Sequence, residues 1–360
     1  MSRGELRKIV CGAGIFAMVS ACGAPHGSAS TGPGSSSIAS LTSTLRELLP
    51  TGQAVAAATS AAKGNTRGDP AKSAGLIFDD GRGPAFFSLT LARSAVRPSD
   101  LSAQCPDTAY HPYSKCSSRI LAGGTRLTLD EQPADQARPG NGVLGRTALV
   151  TTADGNQIFL IETNAPDDQA DRPTRPALPL SSTALAGIVT SSRWAPFLAT
   201  IPARAPVGSP PLGERPTTPH DKITTLLSGL LPPRLRIDDA GGSDDFGHVT
   251  VDDGQGKSLV AVNVQHWRRD DADIARVFAE AEVLLDGTRL LETRSPSPHG
   301  GAGAVTWSAD TLDPTGLRVL VVAVNAPGYG VPATRRDPAL TVAQLKATAL
   351  APAWHHLPDR

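Results

Sequence analysis

Gly124-Thr-Arg-Leu127 recurs without change as Gly287-Thr-Arg-Leu290, and four other landmarks recur around it in the same order. Recurrence of several landmarks in one order indicates a duplicated structural unit. The offset between matched landmarks falls along the chain, so the second copy is shorter than the first. The other matched pairs are Leu41-Thr-Ser-Thr-Leu-Arg-Glu-Leu-Leu-Pro50 with Ile223-Thr-Thr-Leu-Leu-Ser-Gly-Leu-Leu-Pro232, Asp79-Asp-Gly81 with Asp252-Asp-Gly254, Asn164-Ala-Pro166 with Asn325-Ala-Pro327, and the segment from Leu180 to Trp194 with the segment from Leu340 to Trp354.

Each copy is predicted to begin and end with a helix. Leu41 and Leu45 are spaced to lie on one helical face, Ile223 and Leu227 repeat that spacing, and a proline ends each run. The closing helices are predicted over 181–190 and 341–350, where Thr341 and Gln344 fit a capping box. The tryptophans that follow these helices are predicted core residues.

Between these helices, short apolar runs flank turn signals such as Asp-Gly and Gly-Gly, which is typical of antiparallel hairpins. The predicted fold is therefore α+β, with two tandem related domains, each an antiparallel sheet of about six strands with an N-terminal and a C-terminal helix packed on it. A short extra helix is predicted over 271–278. The predicted strands are 75–78, 85–91, 119–121, 126–129, 148–150 and 158–161 in copy one, and 248–251, 258–264, 281–285, 289–291, 305–307 and 318–324 in copy two.

The N-terminus has the layout of a secretory signal. Arg3, Arg7 and Lys8 precede an apolar stretch over 9–19, which is too short to span a bilayer. Val19-Ser-Ala-Cys22 then resembles the lipobox of bacterial lipoproteins, which implies a lipid on the Cys22 thiol and cleavage before it. The alternative is ordinary cleavage near Ala21 or Ala24, which would leave a soluble secreted protein.

Composition sets the remaining boundaries. The stretch after Cys22 is rich in Gly, Ser, Pro and Ala and is predicted to be a flexible tether. The predicted organisation is a signal peptide at 1–21, the tether at 22–38, copy one at 39–200, a Pro-rich linker at 201–219 and copy two at 220–356. The chain carries 34 basic and 34 acidic side chains. A formal net charge near zero gives no reason to expect nucleic-acid binding.

Cys105 and Cys116 remain after the signal and the lipidated cysteine are set aside. In an exported protein such a pair is predicted to form a disulfide. Copy two has no counterpart of this loop, so the bond is expected to be a local crosslink of copy one. A metal site that adds His111 is the alternative, but its spacing does not match a structural zinc pattern.

No motif in the sequence predicts a catalytic residue, a metal ligand or a cofactor. The Asp79-Asp80 and Asp252-Asp253 pairs could hold calcium, but Asp-Gly is a common hairpin turn, so turns are expected there. Serine-elbow, Ser-x-x-Lys, His-Glu-x-x-His and phosphate-loop motifs do not occur.

As a whole, the layout resembles uncharacterised actinobacterial cell-surface lipoproteins with a duplicated α+β domain. The resemblance implies a chain held on the outer face of the cell membrane by the lipid on Cys22, and it implies no activity. The leading hypothesis is a non-enzymatic module that binds an envelope protein or a small ligand. The alternatives are an envelope hydrolase or transferase with an unrecognised site, and a structural envelope protein.

Overall fold

The computed structural model describes residues 34–50, 53–58, 70–167, 170–202, 217–268 and 271–358. The signal peptide, Cys22, most of the tether and residues 203–216 of the linker lie outside this range. The first helix begins at Gly34, inside the segment that the sequence assigns to the tether.

Copy one forms an antiparallel sheet that has seven strands within the described residues. The neighbour order is β1-β2-β3-β7-β6-β5-β4, so a three-stranded and a four-stranded meander meet where β3 pairs with β7. The strands are β1 (Gln53–Ala58), β2 (Ala71–Asp79), β3 (Ala85–Arg93), β4 (Lys115–Ile120), β5 (Arg126–Pro133), β6 (Leu144–Thr151) and β7 (Asn156–Thr163).

Copy two repeats this topology strand for strand. Its neighbour order is β8-β9-β10-β14-β13-β12-β11, again with every neighbouring pair antiparallel. The strands are β8 (Arg236–Ser243), β9 (Phe246–Asp252), β10 (Lys257–His266), β11 (Glu282–Val283), β12 (Arg289–Pro296), β13 (Val305–Leu312) and β14 (Leu317–Val324). Two sheets of one topology show the duplicated layout that the repeated landmarks predict.

Helices precede and follow each sheet. In copy one they are α1 (Gly34–Leu48), α2 (Ser182–Val189) and α3 (Ala195–Ala199), and in copy two α4 (His220–Leu230) and α6 (Val342–Ala349). The short helix α5 (Ala272–Val277) lies between β10 and β11, within the predicted range 271–278. The predicted capping box of Thr341 and Gln344 is confirmed at the start of α6. Trp194 and Trp354 are buried, and each donates its indole N–H to a backbone carbonyl in the helix before it, as expected for core residues.

Each copy has its own hydrophobic core. In copy one, Leu41 and Leu45 of α1 share a buried cluster with Leu76 of β2 and Phe87 of β3. In copy two, Ile223 and Leu227 of α4 share a cluster with strand residues such as Val262 of β10. The leucine spacing at the start of each copy therefore reflects burial against the sheet.

The sequence misses one strand in each copy, and it is the same strand. β1 and β8 are the first strands of their sheets, and neither was among the predicted runs. β1 is Gln-Ala-Val-Ala-Ala-Ala and β8 contains charged and glycine residues, both with low intrinsic strand propensity. Pairing with β2 and β9 stabilises these two strands despite their low propensity. Each sheet therefore has seven strands in the described part of the chain, one more than the six predicted.

Candidate functional site

The repeated Asp-Asp-Gly turns and the Asn-Ala-Pro segments form ion pairs and hydrogen bonds within each copy. Arg175 pairs with Asp80 at 3.0 Å, and Arg335 pairs with Asp253 at 2.7 Å, in equivalent places. In each copy the hydrogen bond and charge of the arginine lower the pKa of that aspartate. A Cβ on Gly83 or Gly256 would lie 2.4 Å from a backbone carbonyl oxygen, so only glycine fits. These aspartates are turn residues, as the sequence predicts.

The asparagines are cross-links between segments. The Asn164 side chain accepts from the amide of Leu144 at 2.8 Å and donates to the carbonyls of Gly142 and Arg175. Asn325 makes the corresponding bonds to Val305, Gly303 and Arg335. The landmarks therefore persist in both copies for structural reasons and do not mark a reaction site.

At the loop between β3 and β4, polar, apolar and aromatic side chains of copy one contact residues of copy two. Cys105 and Cys116 are disulfide-bonded there, with Cα atoms 5.6 Å apart. The bond is a crosslink within copy one, and the loop that it closes lies against copy two. Thr108 donates to the Asp239 carboxylate of β8, and the Ala109 carbonyl accepts from the Tyr329 amide at 2.6 Å.

The apolar part of this contact lies on strands β10 and β14. Ala109 is fully buried in a cluster with Leu259, Ala261 and Val324, and Tyr110 and Tyr113 pack against that cluster. Gly328 leaves room for the loop, because a Cβ there would lie 2.7 Å from the Ala109 carbonyl oxygen. We name the segment 105–116 the docking loop, since it joins copy one to copy two.

A carboxylate and a histidine meet at the centre of the docking-loop contact. The Nε2 atom of His248 lies 2.8 Å from an Asp107 carboxylate oxygen, and the His248 side chain has 0% exposure. Burial raises the pKa of Asp107, but the neighbouring His248 and the backbone amide of Ala109 outweigh it and leave that pKa lowered. Gly241 lies opposite His248 on β8, where a Cβ would be 2.7 Å from Nε2. The ring therefore fills space that glycine leaves free.

Aromatic rings surround this pair. Tyr110 lies 5.2 Å from Tyr329 between ring centroids, and His299 lies 4.3 Å from Tyr329. Burial raises the pKa values of both tyrosines and lowers that of His299, so all three are neutral near pH 7. A neutral cluster of tilted and edge-on rings of this kind provides packing energy and does not supply an activated nucleophile.

A shallow groove of about 380 Å³ runs beside the docking loop. Pro112, Tyr113, Ser114 and Lys115 line one side, and Glu131 and Gln132 line the other. The volume is at the lower end for small-ligand pockets, which are also mostly apolar and enclosed. The groove is open to solvent, and its lining, which also includes Pro133 and Leu144, is mainly apolar.

One acid in the core of copy one has an unusual environment. Glu162 is fully buried, accepts from Arg146 at 2.9 Å and accepts from the Leu180 amide. Burial is the largest influence and raises its pKa to about 7, against the opposing charge of Arg146. Arg146 also pairs with Glu131 at 2.6 Å, so one guanidinium serves two carboxylates. Since Glu162 has no exposed surface, no substrate reaches it.

The Gly-Thr-Arg-Leu landmark has an exposed apolar neighbour in both copies. Ile120 is 55% exposed and pairs across the strands with Arg126, while Val283 is 66% exposed and pairs with Arg289. Each lies four residues before the glycine of its landmark. We call these two hairpin ends the apolar tips. The sequence contains this signal, but without burial it cannot be told from a strand residue that faces the core.

The sequence-predicted sites fall into two groups. Cys22 lies outside the described residues, and Cys105 and Cys116 lie at the base of the docking loop. The Nδ1 atom of His111 lies within hydrogen-bond distance of the side-chain amides of Gln132 and Gln136. Across the described ranges, no group of three or more His, Cys, Asp and Glu residues is placed to hold a metal ion, and no helix has both the length and the apolar character needed to cross a bilayer.

No protein-family profile matches the sequence, and no curated protein is significantly similar to it. Function must therefore be argued from the geometry of the chain itself.

Proposed function

We propose that the chain is an extracytoplasmic lipoprotein, anchored through a lipid on Cys22, that serves as a non-enzymatic protein-interaction module. The lipobox Val19-Ser-Ala-Cys22 and the tether after it support the anchor and the outer-face location. The proposed kinship with actinobacterial cell-surface lipoproteins rests on the lipobox together with the Asp-Asp-Gly and Asn-Ala-Pro landmarks and the tryptophan after each closing helix. The role in interaction rests on the apolar tips.

The recurrence of the apolar tips is the observation that carries this proposal. Single exposed apolar residues are ordinary on protein surfaces. Two copies that have diverged at most positions nevertheless keep a β-branched apolar residue exposed at the same place, opposite the same arginine. Exposed apolar groups rimmed by charge favour protein contacts.

The docking loop supports a bivalent mode of binding. It fixes copy one against copy two through Ala109 and the Asp107–His248 pair, so the spacing of the two tips is set in advance. Two linked sites raise the effective concentration for the second contact. In this proposal the first and last helices of each copy form the layer behind its sheet, and the tips lie at the free end.

The alternative of an envelope hydrolase or transferase requires a carboxylate and a histidine that a substrate can reach. Asp107 and His248 are such a pair by chemistry, but the His248 side chain has no exposed surface. Glu162 is enclosed in the same way. Both observations favour interaction over catalysis.

Replacing Ile120 and Val283 with serine tests the role of the tips. The tagged full-length chain is crosslinked in its native envelope, and the recovered partners are quantified. We expect each single change to reduce recovery and the double change to reduce it by more than either, because the two sites act together. Ile237→Ser is the matched control, since Ile237 is 40% exposed but lies on β8, away from the tips. Equal recovery from the double variant and the control would contradict the proposal.

Replacing Cys22 with alanine tests the anchor. Without the thiol no acyl group can be attached, so we expect palmitate labelling to disappear and the chain to leave the membrane fraction. Cys11→Ala is the control, because Cys11 precedes the predicted cleavage site. Survival of labelling in the Cys22 variant would remove the anchor from the proposal and leave the tips to be judged separately.

A further inference from the structure

The outer edge of copy two is uncovered along most of β12. β11 pairs with β12 only at Arg289 and Leu290, and the five residues Leu291–Ser295 have no strand on their outer side within the described ranges. Glu292, Thr293 and Arg294 are exposed. Backbone N–H and C=O groups at such an edge form a template for another strand.

Copy one shows what occupies this position when a strand is available. There β4 pairs with β5 over six residues, from Lys115 opposite Glu131 to Ile120 opposite Arg126. The interval before the landmark is shorter in copy two and contains no docking loop. Only the end of the covering strand remains there, as β11.

The uncovered edge is complementary to itself in charge. If two copies of β12 pair antiparallel about a two-fold axis at Thr293, Glu292 of each chain lies opposite Arg294 of the other. These side chains share one face of the sheet, because they alternate with Thr293. Each dimer would then contain two cross-strand pairs of opposite charge, which stabilise antiparallel ladders.

The local surroundings affect the two charged groups differently. Arg294 lies over the ring of Trp307, its cross-strand neighbour on β13, at 4.7 Å, so its guanidinium must turn outward to meet a second chain. Glu292 forms no ion pair with any residue in the described ranges, so its charge is available. The ladder fits the available space, since β11 bounds it on one side and Pro296 ends it on the other.

The edge strand β4 of copy one has a charge pattern that disfavours pairing with a second copy of itself. The same operation on β4, about Ser117, places Lys115 of one chain opposite Arg119 of the other. Like charges directly opposite each other destabilise a ladder. One exposed edge therefore resists self-pairing, while the other favours it.

We propose that the chain pairs with a second copy of itself through Leu291–Ser295 of β12, joining the two copy-two sheets into one continuous sheet. A ladder of five residues buries less area than a standard stable interface, so the dimer is weak and depends on concentration. This surface lies apart from the docking loop, and the proposal does not depend on the function of the apolar tips.

Charge exchange tests the pairing. Full-length chains that carry Cys22→Ala, so that no lipid contributes to association, are compared by sedimentation over a range of concentrations. Glu292→Arg and Arg294→Glu each turn both attractive pairs into repulsive ones, and we expect each to weaken the dimer about tenfold. The double exchange restores the opposite charges and should restore the dimer. An equimolar mixture of the two single variants should form a heterodimer that is more stable than the homodimer of either variant alone.

The mixture also separates self-pairing from a folding defect, because misfolded chains would not recover on mixing. Thr293→Lys is a further variant that places two ammonium groups face to face and should also weaken the dimer. Retained dimerisation in the single variants, a mixture that stays monomeric, or a parent chain that stays monomeric at every concentration would each overturn the proposal. If the parent chain stays monomeric at every concentration, the β12 edge would be open for pairing with a strand of another protein.

Discussion

Replacing Glu162 with glutamine should reduce the pH dependence of stability between pH 4.5 and 7. Glu162 has a pKa of about 7 in the folded chain, mainly because of burial, against an ordinary value of 4.5. Within that window the folded state holds a proton that the unfolded state releases. The stabilisation is therefore complete below pH 4.5 and is lost as the pH rises through 7, by roughly 3 kcal/mol in total.

The measurement is the free energy of unfolding by denaturant at pH 4.5, 6 and 8, for the parent chain and for Glu162→Gln. The amide stays neutral at each pH, so its profile should be flatter than that of the parent. The variant should lose some stability at pH 4.5, since glutamine cannot accept from both Arg146 and the Leu180 amide. Glu131→Gln is the control, because it changes the other partner of Arg146 and leaves Glu162 in place. Parallel profiles for the parent and Glu162→Gln would show that Glu162 does not hold the proton.

The parts of the fold that the sequence predicts are those with local causes. The capping box of Thr341 and Gln344 and the Asp-Gly turns are specified by residues within four positions of one another. The repeated landmarks extend these local features to a duplicated layout. β1 and β8 were missed because strands of low propensity form there only through pairing with β2 and β9.

The candidate site could not be predicted in the same way. Asp107 and His248 are far apart in sequence, and no periodicity relates a loop in copy one to a strand in copy two. One signal was present at the end of the last landmark. After Asn-Ala-Pro, copy one continues with Asp167-Asp-Gln169, whereas copy two continues with Gly328-Tyr-Gly330. Because of that difference, Gly328 and Tyr329 contact the docking loop in copy two, and copy one has no such residues at the matching positions.

Opening the Cys105–Cys116 bond should destabilise the chain and also loosen copy one from copy two. A crosslink over a sequence separation of 11 restricts the unfolded chain and contributes roughly 3 kcal/mol. The docking loop would then have to be ordered against copy two at the cost of its own conformational entropy. The paired substitution Cys105→Ser with Cys116→Ser avoids a free thiol and is compared with the parent by denaturant unfolding.

The hydrogen-exchange rate of the Tyr329 amide reports how removal of the disulfide affects the contact between the docking loop and copy two. Tyr329 donates its N–H to the Ala109 carbonyl of the docking loop, so hydrogen exchange at Tyr329 should accelerate in the serine variant. The Thr334 amide is the internal control, because its partner is the Asn325 carbonyl within copy two. Unchanged exchange at Tyr329 would mean that the loop docks equally well without the bond and that the disulfide acts on copy one alone.

Asp107→Ala separates the covalent from the ionic part of this contact. It keeps the disulfide but leaves the buried His248 without its carboxylate, which should cost about 1–3 kcal/mol. If the bond acts by pre-ordering the loop, the serine pair should lose less stability in the Asp107→Ala background than in the parent, because the loop has less docking energy left to lose. Additive losses would show that the crosslink and the docking contact stabilise the chain independently, so that the disulfide does not act by pre-ordering the loop.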